Sequence, residues 1–282
     1  MEDKKLLIIG CGYVGQAVAK FFLEKNWKVT GWIHTENSAE ILQSLGVRPY
    51  VGDVAKEESW QQFVTHFQPS SFSAALYCAA AGRGEAQIYE QVYRRGMIHA
   101  MNYLSEKNFL IFTSSTSVYP QNQGEWVTEQ SEANPQTETG NILRATEQQV
   151  LTRQGAVLRL AGIYGPNRMR MISNIKQSLQ QNQEMPNRWI NHIHRDDIVT
   201  AIDCLIQKQK RGIFNGCDNE PVPLHQIIAW CADQWQMPIP SWIQLAPEPS
   251  THKRVNNTKM RQLGWQPAYP TYREGYVCLP DN

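Results

Sequence analysis

With 282 residues, 41% hydrophobic and 19% charged, the chain can build a sizeable core as one large or two modest domains and has the composition of an ordinary globular protein. The net charge is +1 with Lys and Arg scattered, which excludes the electrostatic footprint of a nucleic-acid or membrane-surface binder. No apolar run approaches membrane-spanning length, and the opening Met1-Glu2-Asp3-Lys4-Lys5 carries no leader pattern.

The first half alternates β-rich runs with helical patterns, which predicts an α/β protein with a Rossmann-type doubly wound parallel sheet. Lys5–Ile9 reads as the first strand. The helix after it carries Val14, Val18, Phe21 and Phe22 on one face. Lys28–Ile33 is a second strand and Ser38–Leu45 a helix stopped by Gly46. Val47–Val51 is a third strand, and its Pro49 places it at a sheet edge, where a missing N–H is tolerated. Strands follow at Ala74–Ala79 and Phe109–Thr113, then a helix over Thr139–Arg153 and a strand over Ala156–Leu160. Beyond Gly165-Pro166 the alternation loosens: helices are predicted over Met169–Asn182 and Asp196–Lys208, with a returning strand at Gly212–Asn215. From Leu224 on, helices are interrupted by Pro238, Pro240, Pro247 and Pro249. The domain reading is residues 1–165 with return elements near 191–216, and a smaller lobe from 166–190 and 217–282. Six cysteines (Cys11, Cys78, Cys204, Cys217, Cys231, Cys278) show no Cys-x-x-Cys pair, so they read as buried free thiols in a reducing cytoplasm.

The first strand runs into Gly10-Cys11-Gly12-Tyr13-Val14-Gly15, and a helix follows. In that context Gly-x-Gly-x-x-Gly reads as a dinucleotide loop. The first glycine permits the tight turn, the second lets a pyrophosphate approach the backbone, and the third lets helix and strand pack closely. The anion would sit on the helix N-terminus, where N–H groups and the dipole favour negative charge. At the end of the second strand, His34-Thr35 stands where NAD-preferring sites place a carboxylate, so NADP is read slightly ahead of NAD. After the third strand, Asp53 can accept from an adenine amino group with Val54 against the ring, or Asp53 can simply cap the next helix.

Further segments extend the pattern: Ala79-Ala80-Ala81, Thr113-Ser114-Ser115-Thr116-Ser117-Val118-Tyr119, Arg159 through Pro166, His192 through Asp197, and Leu263-Gly264-Trp265-Gln266-Pro267. In this order and spacing, the chain resembles the extended short-chain dehydrogenase/reductases, the group of sugar-nucleotide epimerases and dehydratases. It is most similar to an atypical bacterial branch with the shorter glycine loop. The resemblance implies that Ala79, Ala80, Ala81, Thr113, Ser114 and Tyr164 lie along the cofactor, with Thr113 and Ser114 serving strand-end and backbone hydrogen bonds. Ser115 would donate to the substrate's reacting oxygen. Arg168, His192 and Arg254 would face an anionic substrate.

One departure stands out. Where the family carries a general acid/base tyrosine and, four residues on, a lysine, this chain has Thr139 and Leu143. A threonine hydroxyl is too weak an acid, and Arg144 stands one position off with a pKa too high for proton transfer. Either another group takes over, with Tyr119, Tyr164, Tyr89, Tyr93 and His192 as candidates, or the protein binds NAD(P) without turnover as a regulatory or partner protein. Thr139 is then read as lining the site. The first reading is an oxidoreductase or epimerase-like enzyme moving hydride to or from a small polar, sugar-derived molecule, the lobe closing over a cleft. His192-x-His194-x-Asp196-Asp197 has zinc-ligand types, but no further ligand cluster appears and Asp196 reads as a helix N-cap, so no metal is predicted. The resemblance leaves open a homodimer through Tyr89–Leu104 and Thr139–Arg153.

Overall fold

A computed structural model describes residues 4–82, 84–244 and 249–277. The Met1–Asp3 segment, Pro247 and Cys278 lie outside the described residues.

In chain order the first half runs β1 (Lys5–Ile9), α1 (Tyr13–Glu24), β2 (Lys28–Ile33), α2 (Glu36–Ser44), β3 (Arg48–Val51), α3 (Glu57–His66), β4 (Ala74–Tyr77), α4 (Ala86–Tyr89), α5 (Gly96–Tyr103), β5 (Phe109–Ser115), β6 (Trp126–Val127) and α6 (Glu138–Thr152). The second half continues with β7 (Ala156–Leu160), β8 (Gly162–Tyr164), α7 (Arg170–Gln181), β9 (Trp189–Ile190), β10 (His192–His194), α8 (Arg195–Lys208) and β11 (Gly212–Gly216). Then come β12 (Val222–Pro223), α9 (Leu224–Gln234), α10 (Ser241–Gln244), β13 (Arg254–Val255), α11 (Thr258–Gln262) and α12 (Tyr272–Val277).

Among the described residues the central sheet is parallel and seven-stranded, in the order β11-β7-β5-β4-β1-β2-β3. β3 lies at the edge, as Pro49 requires. The strand order reverses between β1 and β4, which is the switch point where open α/β sheets bind ligands outside the strands' carboxyl ends.

By internal contacts the chain divides into two units. The first takes Met1–Pro120, Glu132–Arg159 and Ile198–Phe214; the second takes Gln121–Ser131, Leu160–Asp197 and Asn215–Asn282. In the first unit Leu6, Leu7, Ile8 and Ile9 of β1 are fully buried, as covering both faces of a parallel strand demands. Trp32 of β2 anchors an aromatic cluster, with ring centroids 4.6 Å from Tyr50 and 4.3 Å from Trp60. Its indole N–H donates to the Gly52 carbonyl at 2.8 Å, fixing the end of β3 beside that of β2.

Between α4 and α5 the helix widens into a π turn over Glu90–Arg95. The cause is visible. The Tyr77 hydroxyl donates at 2.5 Å to the Val92 carbonyl, the acceptor an α-helix would offer to the Gly96 N–H four residues on. Sequence periodicity predicted no such turn, because a side chain from another element creates it.

The second unit has its own core of Tyr164, Ile175, Leu179, Ile190, Leu224, Ile227, Ile228 and Tyr276, among others. Short ladders join distant segments here: β8 with β10, β9 with β12, and β6 with β13. Among the described residues, no helix is long and apolar enough to cross a membrane.

Candidate functional site

The glycine loop sits at the sheet's switch point, between β1 and α1. Gly10 has φ +87°, and a Cβ there would stand 2.2 Å from the backbone N and Cα of Ala79, so only glycine fits. Gly12 is the opposite case: a Cβ there would meet nothing within 4 Å among the described residues. The space over Gly12 is open at the α1 N-terminus, where no side chain caps the helix. Tyr13 and Val14, the loop's next residues, are half-buried, and Gly15 is buried, its Cα facing the Gly10 carbonyl and Ile8. Cys11 is buried, and desolvation pushes its thiol up to about 12, so it contributes backbone rather than nucleophile.

At the end of β2, His34 and Thr35 are exposed. The Thr35 hydroxyl pairs with that of Ser38 at 3.0 Å, and His34 Nε2 lies 4.0 Å from an Asp53 carboxylate oxygen. The other Asp53 oxygen accepts the Ala55 N–H at 2.9 Å. Asp53 therefore closes the turn before α3 rather than capping the helix, whose N-cap position is Lys56. Val54 is buried. After β4, Ala79 and Ala81 are half-buried and Ala80 exposed, and the Ala81 N–H donates to the Tyr93 hydroxyl at 3.4 Å.

The serine segment divides its labour. Thr113 donates to the Tyr77 carbonyl at 3.4 Å. Ser114, expected to bond backbone, instead donates at 2.7 Å to the buried Glu147 carboxylate on α6. Ser115 accepts the Ser117 N–H at 3.1 Å and caps the following 3-10 turn. That bond occupies an oxygen lone pair, so the hydroxyl proton stays available to donate. On α6, Thr139 is half-buried in the first turn, its hydroxyl 3.5 Å from that of Thr137, and Leu143 is buried.

Sequence reasoning missed what surrounds Glu147. This fully buried carboxylate takes two bonds from Arg159 (Nε at 2.9 Å, Nη2 at 2.6 Å) and one from Arg144 at 3.1 Å. Burial alone would lower the Arg159 guanidinium, but Glu147's hydrogen bond and charge more than offset it and hold it above its ordinary value. The Arg159 guanidinium lies 4.6 Å over the ring of Tyr119, which is 1% exposed. Arg144, one position off for catalysis, has a structural bond instead.

Of the remaining candidates, Tyr164 and His192 belong to the second unit and Tyr89 and Tyr93 to the first. Tyr164 is buried, its ring edge-on to His192, His194 and Tyr276 at 5.4, 5.2 and 5.0 Å. Burial, then the charge of Asp218, pushes its phenol well above the ordinary value. His192 Nε2 bonds the Tyr276 hydroxyl at 3.0 Å, and desolvation pulls the imidazole down to about 3. A proton donor near neutral pH needs the opposite shifts. Tyr93 is also buried and shifted upward by desolvation, whereas Tyr89 is half-buried, its hydroxyl 3.5 Å from the Gly82 carbonyl.

The His192–Asp197 stretch corrects one expectation. Asp196 lies inside the first turn of α8, and its N–H donates to His194 Nδ1 at 3.2 Å, so the histidine does the capping. Asp197 accepts the Ala268 and Tyr269 N–H groups. Among the described residues, no group of three or more His, Cys, Asp and Glu could hold a metal ion. The described cysteines are free thiols, with Cys11, Cys217 and Cys231 buried and Cys78 and Cys204 half-buried. Arg168 is exposed on the turn after β8. Arg254 lies on β13 between the rings of Trp126 and Trp189, at 5.1 and 4.8 Å.

A sheet of this order, with a glycine loop at its switch point and a serine at the end of β5, defines a nucleotide-binding enzyme of the Rossmann type. Residues 6–216 match the model of the NAD dependent epimerase/dehydratase family, and the chain belongs to that family. Membership makes it an NAD-dependent, oxidoreductase- or epimerase-like enzyme acting on small molecules. It is 28% identical over 220 residues to Protein YeeZ of Escherichia coli (strain K12), covering 76% of this chain and 77% of that one. A Methylobacillus flagellatus protein assigned to the NAD-dependent epimerases/dehydratases superposes with a TM-score of 0.81 at 28% identity, over 98% and 97% of the two chains. The UDP-glucose 4-epimerase of Thermus thermophilus, solved in complex with NAD, shares the fold at a TM-score of 0.72 and 15% identity, with 96% of each chain covered.

Proposed function

We propose that the protein is an NAD(P)-dependent oxidoreductase or epimerase acting on a small polar, sugar-derived substrate, with a proton donor other than the family's tyrosine. The observation that carries this reading is the open space over Gly12 at the uncapped N-terminus of α1, placed at the sheet's switch point. That geometry fits a dinucleotide pyrophosphate, with Gly10, Cys11, Gly12, Tyr13, Val14 and Gly15 as its cradle. Bound there, the cofactor would supply the hydride chemistry. Ser115 then offers its free proton to the substrate's reacting oxygen, and Thr113, Ala79, Ala80, Ala81 and Val54 line the approach. Ser114 supports the segment from behind through Glu147.

Thr139 and Leu143 stand, by the family pattern, where its tyrosine and lysine stand, and neither holds a transferable proton. Of the candidate replacements, Tyr89 keeps the least encumbered hydroxyl. Tyr119 is packed on Arg159, and Tyr164, Tyr93 and His192 are buried with shifts that oppose donation. NADP is favoured over NAD because exposed His34 and Thr35 occupy the end of β2, where a 2′-phosphate would be met. On the second unit, Arg168 and Arg254 are read as substrate contacts, while His192, expected beside them, is 2% exposed and bonds Tyr276. Free thiols accord with a cytoplasmic protein, and a homodimer through α4–α5 and α6 completes the reading.

The test is a fluorescence titration with NADPH and NADH, followed by a panel of carbonyl compounds scored for NADPH oxidation, with Ser115→Ala as control. NADPH should bind more tightly than NADH; equal or reversed affinities remove the NADP preference. Turnover should fall at least about 100-fold in Ser115→Ala with nucleotide affinity kept, the loss expected for one oxyanion donor. Tight binding without turnover across a wide panel favours the rival, a silent NAD(P)-binding regulatory protein, for which the chemistry of Thr139 and Leu143 speaks. Failure to bind either nucleotide sinks both.

A further inference from the structure

β4 ends on Tyr77, a fully buried residue whose hydroxyl donates at 2.5 Å to the Val92 carbonyl inside the π turn. The Gly96 N–H, refused that acceptor, reaches five residues back to the Gln91 carbonyl. Gly96 makes room for the intrusion: a Cβ there would collide with the Tyr77 hydroxyl and crowd Val54 at 3.1 Å. Burial holds the phenol well above its ordinary value, so it stays a donor. Its ring packs edge-on against Phe112 of β5 at 6.1 Å, so the sheet, not the helix, sets where the hydroxyl stands.

A bond reaching five residues back leaves one extra residue in the turn, and that residue decides which side chain faces inward. An α-helix turns about 100° per residue. In an unbroken α-helix Glu90, seven residues before Met97, would align within about 20° of that buried side chain. With one residue absorbed in the π turn, Tyr89 takes the aligned place and Glu90 is turned about 100° away. The contacts agree. The Tyr89 ring lies 5.1 Å from that of Tyr93, which packs at 6.0 Å on Phe112, and the Tyr89 hydroxyl is 3.5 Å from the Gly82 carbonyl. The Tyr93 hydroxyl accepts the Ala81 N–H at 3.4 Å. Glu90 instead pairs at 3.3 Å with Arg94, both of them about half exposed.

We infer that Tyr77 is a positioning residue for the segment after β4: its hydroxyl, seated against Gly96, holds the π turn and so presents Tyr89 rather than Glu90 to residues 79–82. Without the hydroxyl, the Val92 carbonyl returns to the Gly96 N–H, the turn closes into an α-helix, and α4 rotates by one residue. A carboxylate then stands beside Ala81 where a phenol stood, and it repels an anionic ligand on that segment. The inference rests on the reading of Ala79, Ala80 and Ala81 as lining the cofactor, and it adds what keeps the chain's own charge off that wall. It also gives Tyr89, the least encumbered candidate donor, its direction.

The experiment pairs crystal structures of the wild type and Tyr77→Phe, which read the helix register directly, with NADPH titration of the full chain and its variants. Tyr77→Phe should lose the π turn and at least about fivefold in NADPH affinity, with a smaller loss at raised salt. Gly96→Ala, whose methyl displaces the hydroxyl, should reproduce both changes and serves if Tyr77→Phe does not fold. Glu90→Gln in the wild type, altering only an exposed pair, should stay within about twofold. Added to Tyr77→Phe, the same change should recover most of the lost affinity, because the intruding charge is gone. A purely structural role of Tyr77 would give no such rescue. A π turn kept in Tyr77→Phe overturns the inference, as does unchanged affinity with the turn lost, or a loss that Glu90→Gln leaves in place. A wild type that binds no NADPH sinks the cofactor reading instead, and the crystal structures alone then decide whether Tyr77 sets the register.

Discussion

The glycine-loop end of the first unit and the His192 interior of the second handle polar groups in opposite ways. In the first, polarity is carried by backbone amides at an open, uncapped helix end, and the side chains around it are small. In the second, titratable side chains are enclosed: His192 and Asp218 are each 2% exposed, and among the described residues His192 Nδ1, Asp218 Oδ2 and the Tyr164 hydroxyl have no hydrogen-bond partner. Desolvation pushes Asp218 well above its ordinary value and His192 down to about 3, each shift favouring the neutral form. A backbone cradle receives charge from outside; a neutral polar interior excludes it. Substitutions at the loop should therefore register in binding, and substitutions in the interior in stability and its pH dependence.

The largest effect should come from Glu147, which breaks the symmetry of that comparison by being both charged and enclosed in the first unit. Removing it strands Arg159, 1% exposed, without its carboxylate. Glu147→Ala should cost about 3–5 kcal/mol in denaturant unfolding, the range for a broken buried pair. A loss under about 1 kcal/mol would mean the charges find water or another partner.

His192 gives the next effect, and it is one of sign. Its folded pKa of about 3 lies below the unfolded 6.5, so the unfolded chain binds more protons between those values, and stability falls as pH drops from 6.5 toward 3. Asp197, raised to about 6 by burial, acts oppositely: its contribution is present below pH 3.8 and is lost as pH climbs to 6. The two slopes overlap and offset in the wild type. Replacing His192 with Phe removes one of them. The stability gap between wild type and His192→Phe should then shift by about 2–3 kcal/mol in the variant's favour from pH 7 to pH 4.5. A gap that does not move with pH would show that water reaches His192, and that the interior is not the neutral enclosure described.

How much of this was legible in the sequence depended on where the determining contact lies. β1, β2 and β7 match their expected bounds residue for residue because each is a short apolar run between turn signals. Pro49 placed β3 at the edge by a missing donor, a local property. The glycine loop was readable because its needs are local too. By contrast, the π turn is made by Tyr77, fifteen residues from the carbonyl it takes. Two-residue ladders such as β6 with β13 have no periodicity to detect. Glu147 and Arg159 sit at buried positions of otherwise ordinary elements, where charge argues against burial until the partner is known. Asp196 shows the same limit: a residue type that favours N-caps lost the position to His194, whose ring is placed by packing against Tyr269 at 3.8 Å.

The smallest stability effect should be the most telling. Gly12→Ala adds one methyl at the N-cap of α1, where φ is −89° and ψ −140°, with no atom of the described residues within 4 Å of the new Cβ. Its cost in unfolding free energy should stay near about 1 kcal/mol, because Ala is a poorer N-cap than Gly. Yet the same methyl stands where, on the proposed reading, a pyrophosphate would touch the backbone. NADPH affinity should fall at least about tenfold, or 1.4 kcal/mol. Gly10→Ala, with its Cβ driven 2.2 Å from Ala79 and its φ at +87°, should instead lose stability and binding together. The two glycines stand two residues apart in one loop, so comparing them separates a position that shapes the fold from one kept clear for a ligand. If Gly12→Ala binds NADPH as the wild type does, the open space over α1 is not the cofactor's seat, and the contrast between the two units loses its functional half.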